Sequence, residues 1–366
     1  MNLPNLSDFY PDQINALLAP ADENLFIVGP PGSGKTTIAV QRAKNISYQG
    51  KRTLLITKNR MLASLARKLG EQSFEVMTMN KFVPTDYGIR FNKLIPKSPY
   101  NSYQYDWDLI TAHYEHSPTP SYDHIIVDEG QNIPARFYPW VVKFGAHNVS
   151  IFADENQTTE NSEHASLEDI RSAPMPAAKH LIYNHRNTYE IAQVAEFFHR
   201  SLRVGAGIVP DERRGEKPAL VSFDNWEDIS KKITNRFRNR KSSIGIIVEN
   251  IDIAQTLYNI ITRHLHGTTS RIDLYTHRAP EYSEYNIDIS QDGITILTSK
   301  SVIGLEFDCV YLQDLPRQAN QLSLATQRRM YMLCARAKKE LFLIDGPQAL
   351  TKAQLTNLPD ENLLTR

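Results

Sequence analysis

Gly29-Pro30-Pro31-Gly32-Ser33-Gly34-Lys35-Thr36 fits G-x-x-x-x-G-K-[ST], the pattern of a phosphate-binding loop. The apolar run Leu25-Phe26-Ile27-Val28 before it reads as a buried strand. Thr37-Ile38-Ala39-Val40-Gln41-Arg42-Ala43 after it reads as a helix. Strand, glycine turn and helix are the context that gives the pattern meaning. Gly29, Gly32 and Gly34 allow backbone conformations that a side chain would block. Backbone N–H groups can then ring a phosphate at the positive end of the helix. Lys35 reaches the β- and γ-phosphates of a nucleotide, and the Thr36 hydroxyl takes a place on Mg²⁺. The candidate nucleotide-binding segment is therefore Gly29, Pro30, Pro31, Gly32, Ser33, Gly34, Lys35, Thr36 and Thr37.

Outward from this loop, apolar strand-like runs recur at 24–28, 53–57, 74–78, 124–127 and 149–152. Helical patterns separate several of them: 34–49 closes at Gly50, and 58–69 closes at Gly70. Strands that alternate with helices predict an α/β protein with a parallel sheet covered on both faces. Residues 83–121 break the rhythm, with Tyr100, Tyr103, Tyr105 and Trp107 close together, and read as a short insertion. The stretch Ser172-Ala173-Pro174-Met175-Pro176-Ala177-Ala178 has linker composition. It divides the chain into residues 1–176 and 177–366. Beyond it strands are expected at 180–183, 219–223, 243–248, 272–275, 293–298, 308–312 and 341–344. Helices are expected at 188–202, 225–240, 252–266 and 320–339.

Composition bounds the function classes. Lys+Arg and Asp+Glu both number 41 in 366 residues, so no overall basic charge announces nucleic acid, although a local basic groove stays open. The two cysteines, Cys309 and Cys334, lie in apolar surroundings and read as buried free thiols of a reducing compartment. Met1-Asn2-Leu3-Pro4-Asn5 lacks a basic start and a long apolar run, and no stretch reaches membrane-spanning length. A cytoplasmic location without a membrane partner is expected.

The second landmark is Ile125-Ile126-Val127-Asp128-Glu129-Gly130-Gln131, an apolar strand ending in two carboxylates. Ligands of open α/β sheets bind beyond the carboxyl ends of strands, where these acids fall. Asp128 is the expected partner of the Mg²⁺ that Thr36 touches, and Glu129 the group that positions and polarises the attacking water.

With these residues in hand, the chain resembles superfamily 1 helicases of the UvrD/Rep type, through motifs in order along nearly its whole length. Gln13 in Tyr10-Pro11-Asp12-Gln13 resembles the Q motif that reads adenine. Thr57-Lys58-Asn59 and Val76-Met77-Thr78-Met79-Asn80-Lys81-Phe82 resemble two nucleic-acid motifs. Phe152-Ala153-Asp154-Glu155-Asn156-Gln157 resembles the motif whose glutamine senses the γ-phosphate. Asn184-His185-Arg186-Asn187, Thr298 through Gly304-Leu305-Glu306-Phe307-Asp308, and Arg329-Met330-Tyr331 through Ala335-Arg336-Ala337 resemble the remaining three.

The resemblance implies two RecA-like domains with an ATP cleft between them. It gives catalytic roles to Lys35, Asp128, Glu129, Gln157, Arg186 and Arg336. Gln13, His185, Gly304 and Glu306 become nucleotide contacts. Thr57, Asn59, Thr78, Phe82 and Thr298 become nucleic-acid candidates, with single-stranded DNA favoured over RNA. The chain departs from the pattern in four places. Thr158 follows Gln157 where relatives carry a stacking aromatic, His185 replaces a tyrosine, Lys300 a histidine and Ile303 a lysine. The family's large accessory insertions are missing. Two functions compete: an ATP-driven translocase on a single strand, and an ATP switch that regulates a nuclease or other protein subunit. Lys231, Lys232, Arg236, Arg238, Arg240 and Lys241 form a basic helix that reads equally as a phosphate contact and as a solvated face.

Overall fold

The structure, a computed structural model, describes residues 3–58, 60–154, 165–199, 207–210, 212–276, 278–280, 283, 287, 289 and 291–366. Asn59, Gln157 and Thr158 lie outside the described residues. Packing divides the described chain into two compact units. The first holds residues 3–29 and Gly34–Ile182; the second holds Pro30–Ser33 and Tyr183–Arg366.

The first unit is built on six parallel strands: β1 (Leu25–Val28), β2 (Thr53–Thr57), β3 (Glu75–Thr78), β4 (Tyr122–Val127), β5 (Ala146–Ala153) and β6 (Lys179–His180). Their spatial order is β3-β2-β4-β5-β1-β6. Its helices are α1 (Pro11–Leu17), α2 (Lys35–Tyr48), α3 (Arg60–Leu69), α4 (Met79–Phe91), α5 (Trp107–Glu115), α6 (Phe137–Trp140) and α7 (Leu167–Ser172). Every residue of β1 and β2 is buried, as a strand covered on both faces requires. Ile38, Ala39, Ala43 and Ile46 of α2 join Ile27, Leu55 and Phe152 in one core. Much of the stretch read as an insertion is regular. α4 runs through Pro84, which a sequence reading takes for a breaker, and its Phe82, Val83 and Tyr87 are buried.

The second unit repeats the plan with β7 (Ala219–Ser222), β8 (Ser243–Val248), β9 (Ile272–Tyr275), β10 (Gly293–Thr298), β11 (Phe307–Leu312) and β12 (Ala337–Asp345). All pair in parallel, in the order β7-β12-β11-β8-β10-β9. The helices are α8 (Tyr189–Phe197), α9 (Trp226–Asn239), α10 (Ile251–His264), α11 (Leu324–Cys334) and α12 (Lys352–Leu355). α10 begins where the Asn250 side chain accepts from the Ile253 N–H at 3.0 Å, and it buries Ala254, Leu257 and Ile261. The molecule is thus an α/β protein with two parallel six-stranded sheets and interleaved helices, consistent with two RecA-like domains.

The expected helix 320–339 is corrected by the structure: α11 stops at Cys334 and a strand starts at Ala337. Lys338, Lys339 and Glu340 look helical in sequence. Each is tolerated in a strand by an opposite charge, on Glu306 at 2.9 Å, Asp308 at 3.2 Å and Arg236 at 2.5 Å. Cys309 and Cys334 are free and buried, as expected.

Candidate nucleotide site

Strand β1 ends at Val28, and the chain turns through Gly29 into the loop. Gly34 stands at the start of α2 with φ +85°. A side chain there would be strained in backbone, and its Cβ would lie 2.7 Å from Gln13 Nε2. Gln13 therefore borders the loop, held by its own helix start: its Oε1 accepts from the Tyr10 N–H at 2.9 Å. Ser33 Oγ donates to the Pro30 carbonyl at 2.8 Å, tightening the loop. Lys35 is buried. Its Nζ donates to the Gly29 carbonyl at 2.7 Å and lies 3.8 Å from Asp154 Oδ2.

Strand β4 brings the acids to the same rim. The Asp128 N–H donates to the Ile56 carbonyl at 2.8 Å, which keeps the sheet ladder intact to its last residue. Both Asp128 carboxylate oxygens are buried, and neither meets a donor at full hydrogen-bond geometry. Burial and the neighbouring Glu129 charge raise the Asp128 carboxyl above its ordinary range, while the Thr36 hydroxyl and Lys35 oppose that shift. A buried carboxylate with two orphaned oxygens beside a hydroxyl fits a hard divalent cation, which prefers oxygen donors and few protein ligands. Thr36 and Asp128 would hold Mg²⁺ there.

Glu129 takes the left-handed conformation, φ 57°, costly for a side chain with a Cβ and frequent where function requires it. The bend turns its carboxylate toward Gln131, whose Nε2 donates to Oε2 at 2.6 Å. Gln131 Oε1 in turn accepts from the Asp154 N–H at 2.9 Å. A continuous row results: Lys35, Asp154, Gln131, Glu129, with Asp128 and Thr36 alongside. Glu129, Gln131 and Asp154 are all buried, so the row works in a low dielectric. Local spacing alone does not mark Gln131 and Asp154 as site residues. Their signal was membership of the strand-end stretches after β4 and β5.

Residues 13–162 match the family model described as an AAA domain. That span contains the whole row. Over 73 residues the chain is 30% identical to cytidylate kinases of Saccharolobus islandicus strains L.S.2.15 / Lassen #1 and M.14.25 / Kamchatka #1, covering 20% of this chain and 33% of each enzyme. The chain thus spans about a third of the length of the curated relatives it matches. Among solved structures, the C-terminal domain of a possible DNA helicase from Lactobacillus plantarum WCFS1 is 18% identical, with a TM-score of 0.35, over 49% of this chain and 96% of that one. The match and the loop give this chain the features of a P-loop nucleotide-binding protein.

The second unit carries the other expected site residues. Arg186 Nε donates to Glu306 Oε2 at 2.5 Å, and Lys338 approaches Glu306 Oε1 at 2.9 Å. Burial alone would raise the Glu306 carboxyl; Arg186 and Lys338 outweigh it and hold the group at about 2. Arg336 is 1% exposed and donates to the Met332 carbonyl at 3.0 Å and toward Leu305 at 3.4 Å. Gly304 makes the turn before Leu305 with φ +77°. The His185 ring lies 5.8 Å from that of Tyr183.

The nucleic-acid candidates scatter. Thr78 precedes α4 and is half-buried. Thr57 is buried at the end of β2, and Thr298 pairs with the Ser301 hydroxyl at 3.0 Å. Phe82 is 1% exposed, its ring packed 5.8 Å from those of Tyr122 and Trp140. It belongs to the core, and this structure does not present it to a strand. No helix among the described residues is long and apolar enough to cross a membrane.

Proposed function

We propose that this protein is a Mg²⁺-dependent ATPase of the helicase or translocase type that acts on single-stranded nucleic acid, DNA by preference. The observation that carries the hydrolytic reading is the buried row from Lys35 to Glu129, with the orphaned Asp128 carboxylate beside Thr36. Lys35 exchanges its contacts with Gly29 and Asp154 for the β- and γ-phosphate oxygens of ATP, which suit an ammonium better than a backbone carbonyl. Glu129, aimed by Gln131, orients the attacking water and takes its proton. Mg²⁺ on Thr36 and Asp128 supplies charge neutralisation at the phosphate oxygens. Gln13 is the adenine contact. Arg186 and Arg336 are the proposed sources of further positive charge on the transferring phosphoryl group, for which a planar guanidinium suits better than an ammonium. The domain division proposed is 1–176 and 177–366, and the proposed location is the cytoplasm. Support for nucleic acid comes from the ordered motif resemblance.

The regulatory-switch reading keeps one observation of its own. Ile89 is 82% exposed and Leu94 95%, apolar surface of a kind that protein partners cover.

Glu129→Gln tests the hydrolytic assignment. ATP binding, read with a fluorescent analogue, stays within about twofold, while turnover falls at least about 100-fold, as loss of a positioned base does. A variant that hydrolyses at the wild-type rate refutes it.

A further inference from the structure

Two bends of the second unit carry its arginines. The first is Asn184-His185-Arg186-Asn187, ahead of α8. The second is Ala335-Arg336-Ala337, where α11 stops and β12 begins. One side chain joins them across 150 residues of sequence. Asn187 is 0% exposed, and its Nδ2 donates to the Ala335 carbonyl at 3.2 Å and to the Ala337 carbonyl. These are the carbonyls on either side of Arg336. An amide nitrogen carries two hydrogens, so one bond to each carbonyl uses the group completely. Only the nitrogen end of the amide can meet two carbonyls, which fixes its orientation. The Asn187 Oδ1 accepts from Asn184 Nδ2 at 2.8 Å, and the amide is then satisfied at both ends.

The first bend is itself held rigid. Asn184 Oδ1 accepts from the Arg186 N–H at 3.0 Å and the Asn187 N–H at 3.2 Å. Arg213, from the stretch before β7, clamps the outer side: Nη2 donates to the Arg186 carbonyl at 2.8 Å and Nε to the Asn187 carbonyl at 3.3 Å. The seam continues past Asn187, because the Thr188 N–H donates to the Lys338 carbonyl at 3.1 Å. Both guanidinium groups then meet one stretch of chain. Arg186 Nε donates to Glu306, and Arg336 Nη1 donates toward the neighbouring Leu305 carbonyl.

Stability alone does not account for this seam. A buried amide is costly to desolvate, and its hydrogen bonds return only a modest net gain. What it supplies is direction. An apolar contact between α8 and β12 would tolerate sliding, whereas hydrogen bonds to the carbonyls on both sides of Arg336 do not. Register matters where an arginine must present its fork to a transferring phosphoryl group, since a misplacement of about 1 Å can cost about 100-fold in rate.

We infer that Asn187 is a positioning residue that holds the Arg186 and Arg336 bends in one register, so that the two guanidinium groups act as a pair. The inference rests on the reading above in which both arginines act on the transferring phosphoryl group. It gives a role to a side chain that the reading leaves unused.

The test is steady-state ATP turnover of the full chain with Mg²⁺ in wild type, Asn187→Leu, Asn187→Ser, Arg336→Ala and Asn187→Leu/Arg336→Ala. Rates are divided by the concentration of sites that bind a fluorescent ATP analogue, so an unfolded fraction lowers the protein counted and not the rate. Asn187→Leu keeps the volume and removes the amide's bonds. Its turnover per site should fall about 100-fold, with affinity for the analogue within about threefold. Asn187→Ser keeps one O–H donor and should fall less, about tenfold. Arg336→Ala should fall on the order of 1,000-fold. The leucine change on top of it should cost at most about tenfold more, because only Arg186 is left to misplace. If Asn187→Leu turns over at the wild-type rate while Arg336→Ala is slow, the brace is refuted and the arginine reading stands. A further loss of the full 100-fold in the Arg336→Ala background shows an effect that does not run through the pair, and refutes it too. A fall in analogue affinity that matches the fall in turnover makes Asn187 a residue of the fold alone, and positioning is refuted. If Asn187→Leu binds no analogue, Asn187→Ser decides by the same comparisons. If Arg336→Ala hydrolyses at the wild-type rate, the arginine reading fails and takes the brace with it.

Discussion

Gln131 joins two buried groups that have no other reason to meet: the Glu129 carboxylate at 2.6 Å and the Asp154 N–H at 2.9 Å. Replacing it with leucine keeps the volume and removes both bonds. The Asp154 N–H then loses the bond that Gln131 supplies, and Glu129 loses the donor that aims it. Turnover should fall on the order of 100-fold, the cost of a misplaced reacting group, with KM for ATP within about threefold. Steady-state kinetics of Gln131→Leu checks this, and unchanged turnover would show that Glu129 needs no aiming. At this scale the sequence revealed what local spacing controls. Lys35, Thr36, Asp128 and Glu129 were legible because one short loop and one strand end carry them. The Lys35–Asp154 approach was not, because it depends on β5 lying beside β1, a pairing that no local pattern encodes. Phe82 shows the opposite case: its motif position makes it a nucleic-acid candidate, while the packing of α4 buries it in the core.

Helix α9 shows how an element resolves a reading that sequence leaves balanced. Its Phe237 is 1% exposed and packs with Ile229, Ile233 and Ile244 in the core of the second unit. Arg236 and Arg240 both reach Glu340, and Lys241 lies 4.0 Å over the Phe237 ring. Half of the basic cluster is thus committed to holding α9 on its sheet. Phe237→Ala should cost about 3–5 kcal/mol in urea unfolding, the range for a large aromatic in a core. Lys231→Ala/Lys232→Ala, on the exposed face, should change stability by less than about 0.5 kcal/mol and leave oligo(dT) affinity within about twofold. A large loss of affinity in the lysine pair would return α9 to the nucleic-acid face.

In the first unit, His124 on β4 ties elements together. Its Nε2 pairs with Ser150 Oγ at 2.8 Å and its Nδ1 with the Ala21 carbonyl at 2.9 Å, while Arg42 Nε donates to the same Ser150 oxygen at 3.0 Å. Burial first, then the Arg42 charge, holds the His124 imidazole at about 4 against an ordinary 6.5. Between those values the unfolded chain binds a proton that the folded one refuses. His124 therefore removes stability as pH falls from 6.5 to 4, by at most about 1.4 kcal/mol per pH unit. Urea midpoints across that window should decline more steeply in wild type than in His124→Gln; parallel curves would contradict a neutral buried imidazole.

Taken as a whole, the molecule repeats one plan twice, and that repetition was readable: fully apolar strand runs spaced by helices announced parallel sheets before any contact was known. The strand order within each sheet was not readable, because parallel neighbours are chosen by packing between segments distant in sequence. The chain's 41 basic and 41 acidic groups cancel, so its hold on a polyanion must come from one local strip. Opening each base-pair step costs roughly 1.4 kcal/mol of stacking, and a weak local hold would favour release over repeated steps. In single-turnover unwinding of a tailed duplex of several tens of base pairs, with a trap for released protein, the chain alone should separate few full-length strands. Efficient separation would show that the local grip suffices. The most direct measurement of the central claim is the steady-state ATP turnover of the full chain with Mg²⁺, alone and with saturating oligo(dT), oligo(rU) or blunt duplex. Measurable turnover is expected, raised at least about tenfold by a single strand and little by the duplex, and abolished in Lys35→Ala. Turnover indifferent to single strands, or surviving in Lys35→Ala, would contradict it.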